Sequence, residues 1–275
     1  MSRSSLFRTI IPASVLSLIL SIAVPAVCTQ VSQLDQIQVA PPMRQVQAPP
    51  PTASAKELEQ QADELRSQKA YIDAIDYFHA AIMKDPGNAV LFNKKGIAEL
   101  MLQRYHEAGR DFEEAIRLNA KLSEAYNNLG VVHYERKKYR AAAKQYKKAA
   151  ALNPESASFY SNLGAVYFAQ RKFEPATKAY SEALKRDPDI FEHSSRTGVT
   201  AQMSSPQDRA HYSYVLAKLY AKMGDSDHSL LYLRRAMEEG YKKVEDAMSD
   251  PEFASLRKDT RFEELMKEKP VAIPE

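Results

Sequence analysis

The sequence contains a single cysteine, Cys28, and no tryptophan among its 275 residues. One cysteine cannot form an intramolecular disulfide, so a disulfide framework is excluded in any compartment. Glycine is also scarce, with 8 residues, and the abundance of alanine, lysine, glutamate and leucine favours helix. No sign of charge dominates, because 38 basic and 35 acidic residues leave a net charge of +3. The total charge therefore indicates no particular polyanionic partner.

Motifs that carry chemistry are missing as well. The sequence has no His-Glu-x-x-His, no cysteine pair, no glycine-rich phosphate loop and no Gly-x-Ser-x-Gly turn. The six histidines show no spacing typical of metal ligands. We therefore predict a protein that is not an enzyme and that has no metal site and no cofactor.

The N-terminus has the features of a targeting segment. Arg3 and Arg8 precede an uncharged apolar run at 10–27, a pattern that resembles a secretory signal peptide with cleavage after Ala26 or after Cys28. The run of 18 residues is also just long enough for an uncleaved membrane anchor. A third alternative makes Cys28 the lipidated first residue of a bacterial lipoprotein, although such signals have a smaller residue than valine before the cysteine. We interpret 1–28 as a signal peptide or membrane anchor and predict an exported chain. A periplasmic or secreted location is expected first, with a membrane-anchored protein or a lipoprotein as the alternatives.

Residues 29–54 are rich in glutamine and proline, have almost no charge and show no helical periodicity. Proline pairs and a proline triplet favour extended polyproline conformations and block helix formation. We predict a disordered linker.

Four blocks of 34 residues follow in register, at 55–88, 89–122, 123–156 and 157–190. The eighth residue of each block is small: Ala62, Gly96, Gly130, Gly164. The seventeenth is aromatic: Tyr71, Tyr105, Tyr139, Phe173. The twentieth is alanine: Ala74, Ala108, Ala142, Ala176. The twenty-fourth is aromatic: Phe78, Phe112, Tyr146, Tyr180. The twenty-seventh is alanine: Ala81, Ala115, Ala149, Ala183.

Small residues at these positions let two helices approach closely, and the aromatic residues fill the space between them. Proline near the end of three blocks stops the second helix. Each block therefore predicts a helix, a turn and a second helix. Such a pair can bury its apolar face only by stacking on the neighbouring pairs.

This pattern resembles the tetratricopeptide repeat, most closely at 125–154 and 159–188, whereas Gln61 and Lys95 stand where the family usually has leucine. The resemblance, to an exported bacterial type of these proteins, implies an all-α solenoid of helix-turn-helix pairs wound into a right-handed superhelix.

The register changes after 190. Gly198 keeps the spacing of 34, but its surroundings lack the aromatic and leucine partners. We predict an insertion at 191–209, a fifth, divergent repeat at 210–243, and C-terminal capping helices and a tail at 244–275. The alternative is that 210–223 forms the second helix of a decayed in-register block. An insertion of this length is often functional. We expect it to pack on the fourth block and to border the groove through three residues: Phe191, His193 and Arg196.

The resemblance implies that the first helix of each pair lines a concave groove. Asn128 and Asn162 carry amides, which donate and accept hydrogen bonds at once and can hold an extended peptide backbone. The predicted peptide-binding groove consists of eight residues: Asn93, Lys94, Leu100, Asn127, Asn128, Tyr134, Asn162 and Phe168.

We predict an interaction adaptor of the cell envelope or periplasm that binds an extended or helical segment of a partner protein. The alternative is a structural accessory subunit of an envelope, secretion or pilus assembly that uses its convex or basic surface. Seven cations at 136–148 form a basic patch. We interpret it first as a solvated face of the protein, and second as a weak contact site for anionic lipid or another acidic surface. No nucleic acid partner is expected.

Overall fold

The computed structural model describes residues 48–192 and 206–270, and within these ranges it contains eleven α-helices and no strand. The first eight are α1 (Ala55–Ser67), α2 (Tyr71–Lys84), α3 (Ala89–Met101), α4 (Tyr105–Leu118), α5 (Ser123–Glu135), α6 (Tyr139–Leu152), α7 (Ala157–Ala169) and α8 (Phe173–Arg186). The remaining three are α9 (Pro206–Met223), α10 (Ser226–Glu238) and α11 (Thr260–Glu268). Three short 3₁₀ helices lie between α10 and α11, at Val244–Met248, Pro251–Phe253 and Leu256–Lys258. The predicted signal segment 1–28 and most of the predicted linker lie outside the described residues.

The helices α1 to α10 form five pairs, each packed within itself, and in the first four pairs the second helix also packs against the first helix of the next pair. The first four pairs correspond to the four 34-residue blocks, and α9 with α10 forms the fifth. The all-α solenoid of helix pairs that the sequence predicts is thus confirmed.

The small eighth residue of each block allows the two helices of a pair to touch. A Cβ atom added to Gly130 would lie 2.6 Å from Cε1 of Tyr146, and one added to Gly96 would lie 2.7 Å from Cε1 of Phe112. Both rings are fully buried. The helices therefore approach to a distance that only glycine permits in these pairs.

The turns inside the first four pairs repeat one geometry that the sequence analysis did not predict. The second residue after the first helix has a positive φ in each, between 57° and 63°, and is never glycine: Lys69, Gln103, Lys137, Arg171. The next backbone N–H donates five residues back, as from Arg104 to the carbonyl of Glu99 at 3.0 Å. This is the Schellman arrangement, in which glycine is the usual left-handed residue. The fifth pair has Gly224 at φ 82° in this place.

Two boundaries differ from the predicted ones. The linker was predicted to be disordered up to residue 54, but Lys84 donates a hydrogen bond to the carbonyl of Pro51 at 2.9 Å, and Ser54 caps α1. The fold therefore begins before residue 55. Helix α9 begins at Pro206, four residues before the predicted start of the fifth repeat. Proline suits this place because the first turn of a helix needs no N–H donor.

The beginning of the predicted insertion packs against the array. The Phe191 ring meets those of Tyr180 and Tyr212 edge-on, at centroid distances of 5.6 and 6.0 Å. The Tyr232 hydroxyl donates to a Glu192 carboxylate oxygen at 2.7 Å. Phe191 thus contacts Tyr180 of the fourth block, and its place beside the groove stays a prediction; His193 and Arg196 lie outside the described residues.

The predicted C-terminal cap is confirmed. The carboxylates of Asp250 and Asp259 accept hydrogen bonds from the backbone N–H two residues ahead, each at the start of a helical turn. The first turn is 3₁₀ rather than α-helical. Four apolar side chains that follow these caps are buried: Phe253, Leu256, Phe262 and Leu265. The Lys218 ammonium of α9 pairs with Asp250 at 2.7 Å, which fixes the cap to the last repeat.

Candidate functional site

The predicted groove residues lie on the first helices of three successive pairs, α3, α5 and α7. All except Lys94 are buried: Asn93, Leu100, Asn127, Asn128, Tyr134, Asn162 and Phe168. The structure therefore brings them together in one row, but most of that row faces protein. Their role in binding a peptide stays a prediction.

The four asparagines form a hydrogen-bonded ladder across three repeats. The Asn162 amide donates to the side-chain oxygen of Asn127 at 2.9 Å, and Asn127 donates to Asn128 at 3.3 Å. Asn128 in turn donates to Asn93 at 3.0 Å. Buried amides need such partners, because an unsatisfied buried donor or acceptor is costly. Asn127 and Asn128 each donate and accept within the ladder, which therefore ties the register of α3, α5 and α7.

Lys94 is held by the first repeat. Its ammonium lies 2.5 Å from Glu59 and 2.5 Å from Asp63, both on α1. Partial burial alone would lower the pKa of Lys94, but the hydrogen bonds and charges of the two carboxylates outweigh it and raise the pKa above its usual value. Lys94 is thus a charged, half-buried group that joins the first two pairs.

The three apolar or aromatic residues of the predicted groove, Leu100, Tyr134 and Phe168, belong to the core. Tyr134 lies 5.5 Å from Tyr139, and Phe168 lies 5.1 Å from Phe173, measured between ring centroids. In each case the contact joins the end of the first helix to the start of the second in the same pair. Phe168 also meets His211 at 5.2 Å, so it bridges the fourth and fifth pairs. These rings stabilise the array, and burial raises the pKa of the Tyr134 hydroxyl.

Two exposed apolar residues of α3 are absent from the predicted groove set. Val90 is 41% and Met101 47% exposed, and both lie on α3. Together with Lys94 and the half-buried Ile97 they follow the spacing i, i+4, i+7, i+11, which places all four on one face of the helix. We call these four residues the α3 stripe. The 3.6-residue periodicity of a helix, counted in both directions from Lys94, is the sequence signal that identifies the α3 stripe.

In the described ranges 48–192 and 206–270, no group of three or more histidine, cysteine, aspartate or glutamate side chains could hold a metal ion. No helix in that part of the chain is long and apolar enough to cross a membrane.

Comparison with known families gives four matches. Sequence models of the tetratricopeptide repeat match residues 93–139, 157–190 and 210–239, and one described as TPR repeat matches 132–171. No curated protein matches the chain significantly.

Solved structures with a similar fold include MamA 41-end from Desulfovibrio magneticus RS-1, at 19% identity and a TM-score of 0.49, covering 67% of this chain and 94% of that one. YrrB, described as a TPR protein with an unusual peptide-binding site, has 18% identity and a TM-score of 0.46, with 69% and 89% covered. The first TPR of Spaghetti (RPAP3) bound to an HSP90 peptide has 26% identity and a TM-score of 0.42, with 42% and 93% covered.

Proposed function

Because the chain is a tetratricopeptide repeat protein, and such repeats are generally non-catalytic interaction modules, we propose that it is a protein–protein interaction adaptor of the cell envelope or periplasm. The observation that carries the proposal is the array itself, since five stacked helix pairs present an extended surface suited to a partner. The basic start and apolar run before Cys28 support export of the mature chain.

We propose that the partner segment binds along the α3 stripe in the concave groove. Val90 and Met101 offer exposed apolar surface at the two ends of the stripe, and Met101 is flexible enough to adapt to different side chains. An extended or amphipathic segment with apolar anchors fits this arrangement. Its polar groups would meet the half-buried Lys94 with its two carboxylates, Glu59 and Asp63.

The experiment compares full-length wild type with Val90→Asp/Met101→Asp after crosslinking in the native host, with quantitative mass spectrometry of the recovered partners. Both side chains are exposed, so the fold should persist. Met83→Asp/Met248→Asp is the matched control, because these residues are 71% and 53% exposed and lie off α3. Loss of a partner from the stripe variant alone supports the groove, and unchanged recovery from it rejects the groove. Alanine at Asn128 or Asn162 would be a poorer test, because it breaks the buried ladder.

A second candidate function is the structural accessory subunit that uses its convex surface. The observation that favours it is the exposed basic patch on α6 and the turn before it.

A further inference from the structure

The segment 136–152 contains seven cations and no carboxylate: Arg136, Lys137, Lys138, Arg140, Lys144, Lys147 and Lys148. All seven are exposed. None of them forms an ion pair with a carboxylate of the described residues, whereas cations elsewhere in the array do, such as Lys178 with Glu174 and Arg117 with Glu114. Like charges at i,i+3 and i,i+4 repel on a helix, so α6 carries an electrostatic repulsion, and no ion pair within the described residues relieves it.

The cations of α6 form one line. Arg140, Lys144, Lys147 and Lys148 follow helical spacing and therefore share the outer face of the helix. Lys147 and Lys148 lie over the rings of Tyr167 and Tyr126, at 5.7 and 5.9 Å. These four residues, called here the basic stripe, extend about 12 Å along the helix axis.

A recess adjoins the N-terminal end of the basic stripe. It has a volume of about 550 Å³ and lies between the turn of the third pair and that of the fourth. Its polar lining consists of Lys137, Lys138, Tyr139, Arg140, Gln170 and Lys172. Two repeats thus converge on a pocket with four cations, which is large enough to admit acidic side chains.

The neighbouring repeats limit the width of the positive surface. The positions that hold the basic stripe in the third repeat hold His106, Arg110, Glu113 and Glu114 in the second. In the fourth repeat they hold Glu174, Lys178, Ser181 and Glu182. Carboxylates therefore flank the basic stripe on both sides. A flat anionic membrane or a nucleic acid duplex would be brought against these carboxylates, whereas a narrow segment lying along α6 would avoid them.

We propose that the basic stripe and its recess form a docking surface for an acidic segment of a partner protein. The surface lies on α6, the second helix of the third pair, whereas the α3 stripe lies on a first helix. It is therefore a second interaction site, separate from the groove. An extended chain of about four residues spans the 12 Å of the stripe. Charge complementarity of this kind raises the association rate and selects the partner.

The test uses the full chain and a fluorescein-labelled peptide of about eight glutamates, with binding followed by fluorescence anisotropy at about 50 mM salt, where screening is weak. The variant Arg140→Glu/Lys144→Glu reverses two charges of the basic stripe, and acidic residues near the start of α6 also suit its macrodipole, so the fold should persist. The matched control Arg110→Glu/Lys178→Glu reverses two charges at equivalent positions of the flanking repeats. We expect the stripe variant to lose at least about tenfold in affinity and the control to keep most of it.

Failure of the wild-type chain to bind the peptide, or equal binding by the stripe variant, overturns the proposal. Two further arms compare phosphatidylglycerol with phosphatidylcholine vesicles, and a DNA duplex. If either anionic ligand binds the wild type more tightly than the peptide and loses that binding in the stripe variant, the surface is a lipid or nucleic acid site instead. The groove variant Val90→Asp/Met101→Asp should bind the peptide like wild type, so the two proposals fail separately.

Discussion

The contact between Gly130 of α5 and Tyr146 of α6 gives the sharpest test of how the repeats are held together. An added Cβ would lie 2.6 and 2.7 Å from two ring carbons, whereas carbon atoms pack at about 3.5–4.0 Å. The overlap is thus close to 1 Å. Tyr146 is fully buried, so its ring has no open space to move into.

Gly130→Ala combines two opposing effects. Alanine favours a helix interior over glycine by about 0.5–1 kcal/mol. Overpacking of a well-filled core costs about 1–3 kcal/mol. We therefore expect a net loss of about 1–2 kcal/mol. The cost has an upper limit, because the first pair accommodates Ala62 at the same position beside Phe78, both fully buried. The helices of a pair can therefore separate enough for one methyl group when the rest of the pair is built for it.

Gly109→Ala is the control, since a Cβ there would lie 3.7 Å from Val132, an ordinary contact, within α4. It should stabilise by about 0.5–1 kcal/mol. Urea unfolding followed by far-UV circular dichroism measures both changes. A double-mutant cycle with Tyr146→Leu should turn the effect of Gly130→Ala from destabilising to neutral or stabilising, because the obstructing ring is gone. Gly130→Ala that stabilises as much as Gly109→Ala would refute the reasoning.

Two further predictions concern a turn and a histidine. Gln103→Gly should stabilise by about 0.5 kcal/mol, because the left-handed strain at φ 58° exceeds the entropy that glycine adds to the unfolded chain. Gln68→Gly, at φ −80°, should destabilise, and chemical unfolding of both variants checks the pair. Burial lowers the pKa of His211 below its usual 6.5. The charge of Asp208 opposes this shift, and three nearby cations reinforce it: Arg171, Lys243 and Lys218. The stabilising contribution of His211 is present above pH 6.5 and is lost as the pH falls below it, so the melting temperature should fall on acidification. His211→Phe, which keeps a ring tilted against Phe173 and stacked on Tyr241, should reduce that fall; an unchanged pH profile would contradict the assignment.

Much of the fold followed from the sequence because its determinants recur. The 34-residue spacing of small and aromatic residues predicted four helix pairs, and the capping helices predicted at 244–275 are present. The left-handed residue in each turn escaped prediction, because it is Lys, Gln, Lys and Arg in succession and none of these signals a positive φ. Backbone hydrogen bonds of the helix end impose that conformation, not the side chain.

The candidate site was harder to predict. Periodicity placed Asn93, Asn128 and Asn162 on the first helices correctly, but it gave no measure of how closely neighbouring repeats approach. That approach buries the amides and pairs them with one another across a separation of 35 residues. The exposed residues of α3, Val90 and Met101, were within reach of the same periodicity and were not included.

The sequence by itself determined the repeat unit, its number of in-register copies and the place where the register changes, because local periodicity encodes which face each helix buries. It also determined the density of cations at 136–148. Only the tertiary structure decided which polar residues are buried and paired within the array and which remain at its surface. The asparagine ladder and the ion pair of Lys94 depend on distances between helices far apart in the chain, and no local pattern specifies such distances.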